Sequence, residues 1–113
     1  MTKILKETTI KLLESSDNLP IIIIQSDTGP AVSSADTTND VHQISRMSIF
    51  NAYYFPNEQY NLLYNDITPV NSFRIVFDSH FQTNYDLVED RVFFSTYEKP
   101  YTLIEITDFS IVE

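Results

Sequence analysis

The sequence predicts a single α+β domain: a mostly antiparallel sheet of five or six strands, an N-terminal helix and one short second helix. Three observations predict it. The chain has 113 residues, 42% of them hydrophobic, enough for one core and too few for two. A loose helical stripe opens the chain and leads into a β-branched run, and most of the second half alternates in the manner of strands. No repeat or low-complexity linker divides the chain, so residues 1–113 read as one domain.

Residues 3–16 carry Leu5, Leu12 and Leu13 flanked by Ile4 and Ile10, a helical stripe ended by Asp17-Asn18 and Pro20. Ile21 to Gln25 is apolar on both faces and suits a central strand. Residues 26–42 form the one long polar stretch, a length that in a compact domain marks a functional loop or an extended arm. Gln43 to Phe55 alternates and predicts a long strand. After Pro56, the spacing of Tyr60, Leu63, Tyr64 and Ile67 predicts a short helix over 57–65. Ser72 to Ser79 alternates Phe73, Ile75 and Phe77 and predicts a strand. Arg91 to Tyr97 and Tyr101 to Thr107, separated by Glu98-Lys99-Pro100, predict a hairpin, with Phe109, Ile111 and Val112 as a last strand or docked tail.

Composition excludes several chemistries. There is no cysteine, hence no disulfide, thiolate metal site or cysteine nucleophile. Gly29 is the single glycine, which excludes the glycine-rich phosphate loops and the nucleophile elbow. The opening residues carry no apolar signal core, and the longest apolar run, Ile21 to Ile24, is far short of a membrane span. The expectation is a protein cytoplasmic on synthesis. The formal charge of −9 is unevenly placed: Lys3, Lys6 and Lys11 face one acid in residues 1–11, and the remainder sums to about −11. Such a field repels phosphate backbones, so no direct nucleic-acid binding is expected, and a basic protein is attracted. The competing reading is that the acidity only keeps the protein soluble.

Asp78 and His80 fall on one face of the expected strand, with His42 or Glu89-Asp90 as further donors, an arrangement two groups short of a metal site. Surface residues at a strand end explain them as well, and no metal, cofactor, small-molecule substrate or catalytic residue is assigned. The aromatic content, eight Phe and seven Tyr, exceeds what one small core hides, and Tyr is enriched where a partner half-buries a surface. The candidate interaction residues are therefore Tyr53, Tyr54, Tyr60, Tyr64, Tyr97 and Tyr101, together with Asp27, Thr28, Gly29, Pro30 and Val32 of the polar stretch.

Ile10-Lys11-Leu12-Leu13, then Leu19-Pro20-Ile21-Ile22-Ile23-Ile24-Gln25 and Gly29-Pro30, resembles the opening of small neck and tail-terminator components of tailed phages. The resemblance spans about 25 residues, and the long helix such proteins place against their sheet is missing or reduced to residues 57–65. It implies a non-enzymatic structural subunit of a phage-like particle, with copies arranged in a ring, arms bridging neighbours and a place in the virion. The expected partners are thus protein: further copies of the chain or neighbouring subunits, and no membrane. The alternative expectation is a small acidic inhibitor, of antidefence or immunity type, in which Glu58, Asp66, Asp78, Asp86, Glu89, Asp90 and Glu98 stand in for phosphates on a basic groove.

Overall fold

The computed structural model describes residues 2–30 and 40–106. Seven elements follow one another: α1 (Lys3–Ser15), β1 (Ile22–Gln25), α2 (Asp40–Met47), β2 (Asn51–Tyr54), α3 (Pro69–Phe81), β3 (Val92–Phe94) and β4 (Ile104–Ile106). The class is α+β, but among the described residues the expected sheet of five or six strands is replaced by two separate two-stranded antiparallel ribbons, and three helices stand where two were expected.

α1 forms where the stripe predicts it. Thr2 caps its first turn by accepting from the Leu5 amide at 3.4 Å, and the Ser16 hydroxyl returns to the Leu12 carbonyl at 2.6 Å. β1 is a strand as expected, though half-buried rather than central. Among the described residues it pairs only with β2, in the register Ile22 to Tyr54 through Gln25 to Asn51. β3 and β4 form the expected hairpin, Val92 opposite Ile106 and Phe94 opposite Ile104. Arg91 grips Glu105 through two bonds of 2.7 and 2.6 Å across it.

Four expectations are corrected. The strand expected over Gln43–Phe55 is α2 followed by the four residues of β2. The polar stretch ends earlier than expected, since Asp40 to His42 open α2, while Val32 lies outside the described residues. The helix expected over 57–65 is a series of turns, in which Glu58 and Asp66 take φ of 56° and 61° and break a helical path. The strand expected over Ser72–Ser79 is the middle of α3. Pro69 supplies the fixed φ suited to a first helical turn, and Thr68 is its N-cap.

The described core is small: Ile44, Phe55, Ile75 and Val76 are its buried apolar side chains. Phe55 is the hub. Tyr60 stacks on it at 5.2 Å with planes 11° apart, Tyr53 lies tilted at 5.9 Å, and His80 meets it edge-on at 5.0 Å. The chain exposes 8609 Å², where a compact monomer of this mass exposes roughly 6,400 Å².

Gly29 answers a need other than backbone freedom, for no glycine has positive φ. Its amide donates to the Arg46 carbonyl at 2.8 Å, its carbonyl accepts from Arg46 Nη1 at 3.1 Å, and Ser45 Oγ donates to the Pro30 carbonyl. Residues 26–30 thereby lie against the end of α2 so closely that an added Cβ would stand 2.0 Å from the Ser45 carbonyl oxygen and 2.5 Å from that of Ser48. Gly29→Ala must push backbone away from backbone, and the expected loss is about 1–3 kcal/mol. Urea unfolding measures it, and an unchanged midpoint would contradict this packing.

Candidate protein interaction surface

α3 is built the opposite way round from an ordinary surface helix. Its inward residues include Asn71 and Ser72, both 0% exposed, beside Ile75 and Val76. Its outward residues are Val70, Phe73, Phe77 and Phe81, exposed by 57, 47, 42 and 61%. The spacing of three and then four residues sets these four side chains in one stripe along the helix, opposite the buried face.

The inversion is possible because every inward polar group of α3 that faces the return strand has a partner. After Gln82, which takes the left-handed φ of 57° that ends α3, the chain runs back along the helix in extended form as a strap. Asp78 Oδ1 accepts from Thr83 Oγ1 at 2.6 Å and from the Tyr85 amide at 2.9 Å. Arg74 Nη1 donates to the Asp86 carbonyl at 2.6 Å. Asn71 donates to the Val88 carbonyl at 2.7 Å and accepts from the Val88 amide at 3.0 Å, so its carboxamide pairs with the strap as another strand would. Asp90 then reaches the start of α3, accepting from the Thr68 amide at 2.9 Å, from Asn71 Nδ2 at 3.0 Å and from the Tyr64 hydroxyl at 2.5 Å. A carboxylate there satisfies a free amide of the first turn and opposes the positive end of the helix dipole.

Ser72 is satisfied on the other side. Its hydroxyl donates to the Thr68 carbonyl at 3.0 Å, so the Tyr53 hydroxyl, 2.5 Å away, is the donor to Ser72, and Asn51 donates to Tyr53 in turn. The strap adds Tyr85, half exposed, to the aromatic stripe. Tyr85 meets Phe77 edge-on at 6.1 Å, Phe77 lies 5.8 Å from Phe81, and the Arg74 guanidinium covers the Tyr85 ring at 5.9 Å. At roughly 200 Å² per aromatic side chain, the exposed part of the five residues comes to roughly 500 Å², at the scale of the largest patches on monomers, which are often functional.

The residues singled out from the sequence divide into three groups. Tyr97 and Tyr101 are fully exposed at the turn of the β3–β4 hairpin, beside a shallow depression of ≈ 290 Å³ lined by Thr96, Glu98, Lys99, Thr102 and Ile104. Tyr60 and Tyr64 are exposed by 39 and 37% although their hydroxyls bond the Phe55 backbone and Asp90, while half-buried Tyr53 bonds Ser72 and half-buried Tyr54 lies opposite Ile22. Gly29 is buried against α2, with Asp27, Thr28 and Pro30 in the same short segment. Val70, Phe73, Phe77 and Phe81 were missed because 72–79 was read with period two. The signal that finds them is Thr68-Pro69 followed by apolar residues three and four apart.

Asp78 and His80 do not come together as metal ligands. On a helix, Asp78 and His80 lie about 200° apart around the axis and cannot share a ligand, and among the described residues no group of three or more His, Asp or Glu is placed to hold a metal. No described helix is long and apolar enough to cross a membrane. The chain matches no protein-family profile, no curated protein and no solved structure.

The strap makes stability depend on pH in a definite direction. Burial alone would raise the Asp90 pKa, but the bonds from Thr68, Tyr64 and Asn71 outweigh it and hold it below the ordinary value. The bonds from Thr83 and the Tyr85 amide lower that of Asp78. Groups depressed in the folded state stabilise it above their unfolded pKa, about 3.9, and lose that contribution as pH falls through the folded value. Asp78→Asn/Asp90→Asn is therefore expected to be less stable than wild type at pH 7 and to lose less on acidification below about pH 4. Urea unfolding across that window checks this, and parallel curves would contradict it.

Proposed function

We propose that this protein is a non-enzymatic interaction module, a subunit of a larger assembly that docks through the aromatic face formed by α3 and the strap. The observation that carries this reading is the inversion of α3. A helix that buries Asn71 and Ser72 while exposing Val70, Phe73, Phe77 and Phe81 leaves apolar area in water, at a cost of about 25 cal/mol per Å². A protein surface laid over that face recovers it.

The hairpin tyrosines, Tyr97 and Tyr101, support the same role, since fully exposed Tyr supplies contact area with few rotamers to freeze. A structural subunit of a phage-like particle is the form of this reading that the opening segment suggests. The acidic-inhibitor reading has less support: Asp78 and Asp90, two of its seven phosphate mimics, are spent on the strap.

The test separates docking from folding. Phe73→Ser and Phe77→Ser, whose side chains are partly exposed, are expected to cost about 1 kcal/mol each, while Ile75→Ala costs about 2–5 kcal/mol. A photo-crosslinking residue at position 77 is expected to give a discrete protein adduct in the producing cell, and one at exposed Glu58 none. A core-like cost at Phe73 and Phe77, or equal labelling at both positions, would overturn the reading.

A further inference from the structure

The aromatic face has a counterpart within the same chain. None of the side chains of α1 is buried, and Ile4, Ile10 and Leu12 are exposed by 76, 41 and 45%. α1 also takes no part in the main packing contacts between elements, which join β1 to β2, β3 to β4 and α2 to β3. At 3.6 residues per turn, Leu5 and Leu12 share the middle of one face, with Ile4 and Leu13 to either side. Lys11 and Lys6 fall at the two flanks of that face, and Lys3, Glu7 and Glu14 fall behind it, Lys3 paired to Glu7 at 3.8 Å. An apolar stripe flanked by lysines suits an apolar surface with an acidic rim.

The α3 face has such a rim. Asp78 and Asp90 are taken up by the strap, but the segment from Asp66 to Asp90 also carries exposed Asp66, Asp86 and Glu89 against Arg74, which is engaged with the Asp86 carbonyl and the Tyr85 ring. The lysines of α1 thus meet net negative charge, and its leucines meet Phe73, Phe77 and Phe81. The areas also agree: roughly 500 Å² on the α3 side, matched by the helix laid on it, gives about 1,000 Å² in total, the lower bound of a specific interface.

We infer that α1 of one copy docks on the α3 face of a second copy, head to tail. This rests on the interaction-module reading and names its occupant. The two contacting surfaces differ, so each copy keeps one donor helix and one acceptor face, and the arrangement propagates into a closed ring or an open filament.

Sedimentation velocity of the full chain tests this with two variants, each first shown by circular dichroism to keep its fold. Lys6→Glu/Lys11→Glu alters the donor helix, and Phe73→Glu/Phe77→Glu alters the acceptor face. Wild type is expected to associate with rising concentration, more weakly at high salt, and each variant to associate at least tenfold more weakly. An equal mixture of the two is expected to stop at 1:1 pairs of wild-type strength, the intact donor of the acceptor variant seated on the intact face of the donor variant, for such a pair has no intact donor or acceptor left at its ends. Leu5→Glu/Leu12→Glu gives a second donor-dead chain, altered in its apolar stripe rather than in its lysines, and its mixture with the acceptor variant must likewise pair with wild-type strength. Wild type that stays monomeric at all concentrations overturns the inference and leaves the module reading to its own crosslinking test. Donor variants that associate like wild type while the acceptor variant does not also overturn it, assigning the face to another occupant and sparing the module reading.

Discussion

The paired hydrogen bonds between the Asn71 carboxamide and the Val88 backbone organise this molecule. Asn71 is wholly buried, and a buried amide without partners costs several times what a satisfied one contributes. Its two hydrogens are shared among the Val88 carbonyl, Asp90 and the Tyr64 hydroxyl, and its oxygen accepts from the Val88 amide. One side chain thus holds the strap, the start of α3 and the turn at Tyr64 in fixed relation. With Asn71 turned inward, the rotation of α3 about its axis is set, and the aromatic stripe has no direction left but outward.

The same economy runs through the backbone. A chain with one glycine must turn with other residues, and it does so at Glu58, Asp66 and Gln82, each with positive φ, a conformation that costs a non-glycine residue of order 1 kcal/mol. The glycine is kept for the one place where two backbones nearly touch. Among the described residues, left-handed turns, an apolar core of four side chains and an inverted helix leave much apolar surface facing outward.

How much of this was legible follows from which signals are local. α1 was readable from its stripe, and the β3–β4 hairpin from alternation around Glu98-Lys99-Pro100. α3 was misread because Phe73, Ile75 and Phe77 satisfy period two while Val70, Phe73, Phe77 and Phe81 satisfy the helical period. What decides between them is the strap, a contact between Asn71 and Val88 that lies seventeen residues away along the chain. The turns at 57–65 fail to become a helix for a similar reason, since Tyr60 folds back to stack on Phe55. Of the tyrosines that the sequence points to, Tyr60, Tyr64, Tyr97 and Tyr101 are exposed and Tyr53 and Tyr54 half-buried, whereas the outward stripe Val70, Phe73, Phe77 and Phe81 is visible only once α3 is read as a helix.

The central claim is that the outward aromatic face of α3 is open in the isolated chain and covered in the assembled one. Because the chain has no tryptophan, Phe77→Trp places a single indole on that face, and its emission and quenching report the environment directly. A red-shifted, readily quenched indole is expected in the dilute chain, shifting to the blue and becoming protected as the chain associates. A buried indole at every dilution, or one still fully quenched in the associated state, would contradict it.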